Sequence, residues 1–148
     1  MAIKHPFLQG KWQGPRFADA AGFLFVSMKG NILILKRSQG DWAGRWASAG
    51  GWMEEGETPL YAAVRETLEE IQKLPKYTAL SKMVKIHWRG TLYCTWIVLT
   101  PIEFRPKLNK EHSQFRWASP EDLRAGKYML HDGFRDTLKK AMPEVLED

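Results

Sequence analysis

The chain has 148 residues, 44% of them hydrophobic and 26% charged, with a formal net charge of +5. That length and balance predict one soluble domain, residues 1–148, able to bury a core without staples. Apolar runs such as Ile32–Leu35 and Trp96–Leu99 are four residues long, which excludes a membrane span, and MAIKHPFLQGKW lacks the apolar stretch of a secretory signal.

In chain order, residues 1–18 are broken by Gly and Pro and are expected to be irregular. AGFLFVSM and NILILKRS are β-rich runs joined at Lys29-Gly30, a hairpin turn. SQGDWAGRW reads as a loop, and WASAGG as a short extended piece. A helix should start with Thr58 as N-cap and Pro59 at its first position, run to about Lys73 and stop before Pro75. YTALSKMVKIHW and TLYCTWIVLT read as strands around Arg89-Gly90; both faces of the second are apolar, as in a central strand covered on each side. Its Cys94 is the one cysteine, which excludes an internal disulfide, fits a reducing, cytoplasmic setting and reads as a buried small hydrophobe. SQFRWAS is a further strand, SPEDLRAG a short capped helix and GFRDTLKKAM a closing helix. This alternation predicts an α/β/α sandwich.

Charge is unevenly spread. Residues 54–70 hold six Glu and one Arg, a local net of −5, so the rest of the chain carries +10. An acidic knot in a basic protein suits a cation together with a polyanionic substrate, although from charge alone solubility and unrelated surface charge are the favoured reading. On a helical wheel Leu60, Ala63, Val64, Leu68 and Ile71 form the core-facing stripe. Glu66, Glu69 and Glu70 fall opposite, spaced i, i+3 and i+4, so their carboxylates crowd within one turn. Arg65 can reach Glu69, and Glu57 at the helix start is placed to pair with Arg65. A divalent cation would relieve the remaining repulsion, and oxygen ligands favour Mg²⁺ or Mn²⁺. Gly50-Gly51 permits a tight approach that brings a bare carbonyl near the helix.

Gly51, Glu57 and then Arg65-Glu66-Thr67-Leu68-Glu69-Glu70, within Gly51–Lys73, resembles the Nudix box. It departs from the usual pattern at Thr67, normally aliphatic, and at Gln72-Lys73, normally Gly and an aliphatic residue. The resemblance implies a Nudix-type α/β/α sandwich around a mixed sheet. It also implies Mg²⁺- or Mn²⁺-assisted hydrolysis of a nucleoside diphosphate linked to a group X. Carried onto this chain, Glu66 and Glu70 would be the principal metal ligands, with Glu69 and the Gly50 carbonyl beside them. Arg65 and Glu57 would orient them. The stretch LNKEHSQFRWAS offers Glu111 and His112, resembling a segment from which some family members supply a further ligand or the general base.

For the substrate, Lys36, Arg37 and Arg45 are candidate phosphate partners, and Trp46, Trp42, Trp52, Phe17 and Trp88 are candidate stacking surfaces. Residues 73–116 carry nine Lys or Arg against two acids, a net of +7. The expected substrate is a (d)NTP or nucleotide sugar; an RNA 5′ end is the alternative hydrolase reading, and a non-catalytic nucleotide- or RNA-binding module the alternative class. No membrane partner is expected, and the chain is expected to act as a monomer or homodimer.

Overall fold

Strand β1 (Ala20–Ser27) is buried along its whole length because it has neighbours on both edges and helices over both faces. The computed structural model describes residues 3–10 and 14–146. Within them β1, β2 (Ile32–Arg37), β3 (Trp46–Ala47), β4 (Ala49–Trp52), β5 (Ala79–Trp88), β6 (Thr91–Thr100) and β7 (His112–Ala118) form one seven-stranded mixed sheet. Its path is β3-β2-β1-β6-β5, with β4 also on β1 and β7 on β2. β1 and β6 run parallel, from Ala20 beside Tyr93 to Ser27 beside Thr100; the other pairings are antiparallel.

Alternation along the strands splits the core in two. Phe23, Phe25, Cys94, Trp96 and Val98 pack with Leu60, Ala63, Val64 and Ile71 of helix α1 (Pro59–Ile71). Leu24, Val26, Ile32, Ile34 and Ile97 pack with Leu123 of α2 (Pro120–Arg124) and with Phe134 and Leu138 of α3 (Asp132–Ala141). This is the sandwich expected from the order of elements. β6 is buried from Cys94 to Val98, as its sequence implied, but half-open from Thr91 to Tyr93.

Local expectations mostly hold. Ser27 and Asn31 close the first hairpin around Met28, Lys29 and a Gly30 at φ 85°. Thr58 Oγ1 accepts the Tyr61 amide at 3.2 Å as the cap of α1, with Pro59 following. α1 ends at Ile71 rather than Lys73, because Gln72 turns left-handed (φ 53°) and its amide donates to the Leu68 carbonyl. Gln72 therefore adopts the conformation for which Gly is the usual residue.

The first segment is more ordered than its Gly and Pro content suggested. Pro6–Leu8 form a 3₁₀ turn, Ile3, Phe7 and Leu8 pack on the α1 side of the core, and His5 is buried with Nε2 3.1 Å from the Leu74 carbonyl. Apolar contacts, the His5 contact and the Ile3 amide donating to the Tyr61 hydroxyl at 3.1 Å hold it there. Residues 1–2 and 11–13 of that stretch lie outside the described residues. Among the described residues no helix is long and apolar enough to cross a membrane.

Candidate active site

The site begins where two strands come unusually close. Gly22 of β1 lies opposite Gly50 of β4. A Cβ on Gly22 would run into the Ala49 carbonyl, and one on Gly50 would lie 2.7 Å from the Ala21 carbonyl. Only paired glycines allow that approach. One residue on, a Cβ at Gly51 would sit 2.5–2.8 Å from the carboxylate of Glu66. β4 is thereby pressed against α1, and the Gly50 amide donates to Glu70 Oε1 at 3.0 Å.

Arg65 ties the acidic knot together. Its Nε and Nη2 donate to the two Glu57 oxygens at 2.6 and 3.0 Å, and Nη1 reaches Glu66 and Glu69, each at 3.0 Å. Nη2 also donates to the Trp52 carbonyl at 3.1 Å, anchoring the end of β4. Burial opposes ionisation of Glu57, yet the Arg65 hydrogen bonds and the Glu54 amide hold its pKa below the ordinary value. The same Glu57 contact, helped by Glu66, pushes Arg65 above its usual range.

Glu70 differs from its sequence reading. The helical wheel sets it opposite the core-facing stripe, yet it is 3% exposed. β4 covers it from one side through the Gly50 amide, and a strap, residues 104–111, crosses the end of α1. The Lys107 amide donates to the Ile71 carbonyl at 2.9 Å and the Asn109 amide to the Glu70 carbonyl at 3.0 Å. These bonds occupy carbonyls that the helix end leaves open. They also carry Glu111 into electrostatic range of Glu70. Burial, reinforced by Glu66 and Glu111 and opposed by the Gly50 amide, raises the Glu70 carboxyl well above its ordinary value. Burial likewise raises Glu66, against the pull of Arg65.

A cleft of about 640 Å³ opens over these groups. Glu66, Glu70, Gly50, Glu111, His112 and Arg37 all line it. Glu69, Arg65 and Glu57 do not: Glu69 is exposed and held outward by Arg65, and the Arg65–Glu57 pair lies behind the lining. Among the described residues no group of three or more His, Cys, Asp or Glu side chains stands close enough together to hold a metal ion as placed.

The other substrate candidates divide. Arg37 lines the cleft, whereas its neighbour Lys36 does not, because successive strand residues face opposite ways. Arg45 lies outside the lining, with its guanidinium 5.8 Å from the Trp42 ring. Trp46 is not a stacking surface: it is 7% exposed, packed edge-on against Tyr128 at 5.2 Å in the α3-side core. Phe17 is 63% exposed and away from the lining. Trp42, Trp52 and Trp88 do line the cleft.

Arg37 and His112 face each other across β2 and β7, beside a bulge between Lys36 and Arg37. Arg37 Nε and His112 Nδ1 are buried without a hydrogen-bond partner. Burial, and then Arg37, lower the His112 pKa to about 4. It is neutral near pH 7 and a weak proton acceptor there, a poor match for a general base. Sequence reasoning missed His131, Thr95 and Thr137, which also line the cleft. His131 caps α3 just before Asp132-Gly133, a signal for a helix start rather than for a site.

A family model described as NUDIX domain matches residues 16–143. The Nudix hydrolase RenU from M. smegmatis is 25% identical in a solved structure, with TM-score 0.69, covering 83% of this chain and 82% of that one. A C. elegans Ap4A hydrolase is 22% identical, with TM-score 0.68 and coverage of 82% and 93%. DR0079 from Deinococcus radiodurans is 18% identical, with TM-score 0.70 and coverage of 95% and 90%. No curated protein sequence matches the chain.

Proposed function

The chain belongs to the Nudix hydrolase family, and from that premise we propose that it is a Mg²⁺- or Mn²⁺-dependent nucleotide pyrophosphohydrolase, acting on a (d)NTP or nucleotide sugar as a single domain. The family's activity is hydrolysis of nucleoside diphosphate derivatives, generally with divalent metal ions. The observation that carries the reading is the buried Glu70 carboxyl, crowded by Glu66 and Glu111 at the floor of one cleft. Such carboxylates repel one another, and an oxygen-binding divalent cation drawn between them would offset that repulsion.

Glu66, Glu70 and Glu111 would hold the ion, with the Gly50 carbonyl as a further candidate. The contact present at Gly50 is through its amide, which fixes the Glu70 carboxylate from behind. When bound, the ion neutralises pyrophosphate charge and activates a water. Arg65 keeps Glu66 directed at the cleft, and Glu57 keeps Arg65 in place. Glu69 acts through Arg65 rather than on substrate. Arg37, the one basic side chain of the three sequence candidates in the lining, would meet a phosphate oxygen. Glu111 is exposed while lining the cleft, and between Glu111 and His112 it is the better acceptor for the proton of the attacking water.

The test is a panel of nucleoside triphosphates and nucleotide sugars, assayed for nucleoside monophosphate release with Mg²⁺, with Mn²⁺ and with chelator. Turnover should need metal, and Glu70→Gln should lower it by about 10³-fold with the fold intact. Equal rates in the folded variant, or turnover in chelator, would remove the reading.

A further inference from the structure

Beyond the carboxylates the cleft contains an aromatic lobe drawn from three distant segments. Trp42 comes from the β2–β3 loop, Trp88 from the end of β5, and His131 from the cap of α3. Ring centroids lie 4.7 Å apart for Trp42–His131, 4.8 Å for Trp88–His131 and 5.7 Å for Trp42–Trp88. A Cβ on Gly133 would come within 3.1 Å of the His131 ring and 3.3 Å of Trp88, so the first turn of α3 is cut back to admit them. Both tryptophans line the cleft and keep part of their surface exposed. Packing alone leaves ring surface unused.

A cation braces the lobe, and one ring supplies a donor. The Arg89 guanidinium lies 5.3 Å from the Trp42 ring and 4.9 Å from Trp88. Arg89 holds φ 52° in the β5–β6 turn, a left-handed position where Gly or Asn is the low-cost residue. A cation kept there at backbone cost, over two cleft-lining rings, asks for a functional reason. His131 Nδ1 accepts the Gly133 amide at 3.0 Å. Burial first, then Arg37, with Arg89 and Arg45 adding and Asp132 opposing, lower its pKa and so favour the neutral ring. A neutral imidazole that accepts at Nδ1 carries its proton on Nε2, and so offers a donor.

We propose that this lobe is the subsite for the nucleobase: Trp42 and Trp88, braced by Arg89, take the ring, while His131 reads a ring carbonyl, favouring keto bases such as guanine or uracil over adenine. The assignment deepens the nucleotide reading above and rests on it. Adenine turns an amino donor where guanine has its carbonyl. Donor facing donor leaves both unpaired and costs affinity.

Quenching of tryptophan fluorescence, without metal, by GMP, UMP, AMP and inorganic pyrophosphate tests it. GMP and UMP should each bind about fivefold or more tighter than AMP. Trp42→Leu should weaken GMP about tenfold and leave pyrophosphate within about twofold. Arg89→Asn, which also eases the turn and so folds readily, should weaken GMP several-fold. In His131→Phe, which keeps a ring and loses the donor, GMP and AMP should converge. AMP binding as tightly as GMP, or an unchanged GMP affinity in Arg89→Asn, overturns the assignment. The titration needs no turnover. A protein that bound GMP selectively and hydrolysed nothing would keep this subsite and lose the catalytic reading.

Discussion

Glu57 and Arg65, eight residues apart, meet in a two-point ion pair with Nε–Oε2 at 2.6 Å and Nη2–Oε1 at 3.0 Å. Their side chains are only 8% and 14% exposed. The pair joins the loop before α1 to the helix face that carries Glu66, so one contact serves both folding and the site. Glu57→Gln leaves Arg65 half-paired in a desolvated position. A stability loss of about 2 kcal/mol by urea unfolding is expected. Turnover should fall at least about tenfold, because Glu66 loses its brace. Unchanged stability and rate would mean that Arg65 is held by its other partners.

Gly51 offers a cleaner separation of site from scaffold. Its added Cβ in Gly51→Ala meets the Glu66 carboxylate at 2.5–2.8 Å, not the core. The Glu66 side chain must move, so metal-dependent turnover is expected to drop about 10²-fold while thermal unfolding shifts by only a few degrees. Assaying both on one preparation checks this; full activity would show that Glu66 is free to relocate.

His112 predicts an acid weakness. Its folded pKa, about 4, lies below the ordinary 6.5, so between those values the unfolded chain binds the extra proton. Stability from this group is complete above pH 6.5 and is lost as pH falls towards 4, by about 3 kcal/mol in all. Unfolding free energies measured across that window should decline less steeply in His112→Gln. Parallel curves for the two proteins would exclude His112 as the source.

Cys94 should be chemically silent. It is fully buried, and burial pushes its thiol up to about 12, so little thiolate exists at pH 8. Labelling by a disulfide reagent is expected to follow the rate of unfolding and to become rapid only in denaturant. Fast native labelling would mean that β6 opens locally.

Much of this was legible from residue patterns. The Thr58-Pro59 start, the two hairpin turns and the doubly covered β6 are local or period-two signals, and each appears where its chemistry put it. The Glu57–Arg65 and Arg65–Glu69 contacts followed from spacing along one helix and its cap. What could not be read was set by chain crossing at long range. The helical wheel sets Glu70 opposite the core stripe because it shows one helix alone; β4 and the strap from residue 104 onward close that face. Trp46 and Trp42 are four residues apart in one short stretch, yet one is core and the other lines the cleft. Residues 128–131, more than 80 positions on, pack against Trp46, and Trp88 and His131 against Trp42. His131 carried no chemical signal of its own.

The strap has a consequence for how the third carboxylate arrives. Its amides at 107 and 109 finish the end of α1, so peeling it away would fray the helix that bears Glu70. Glu111 is thus delivered during folding rather than by a swinging gate, and amide exchange at Lys107 and Asn109 should be as slow as in the sheet. Transplanting a different loop here would have to reproduce those two bonds before it could alter the chemistry.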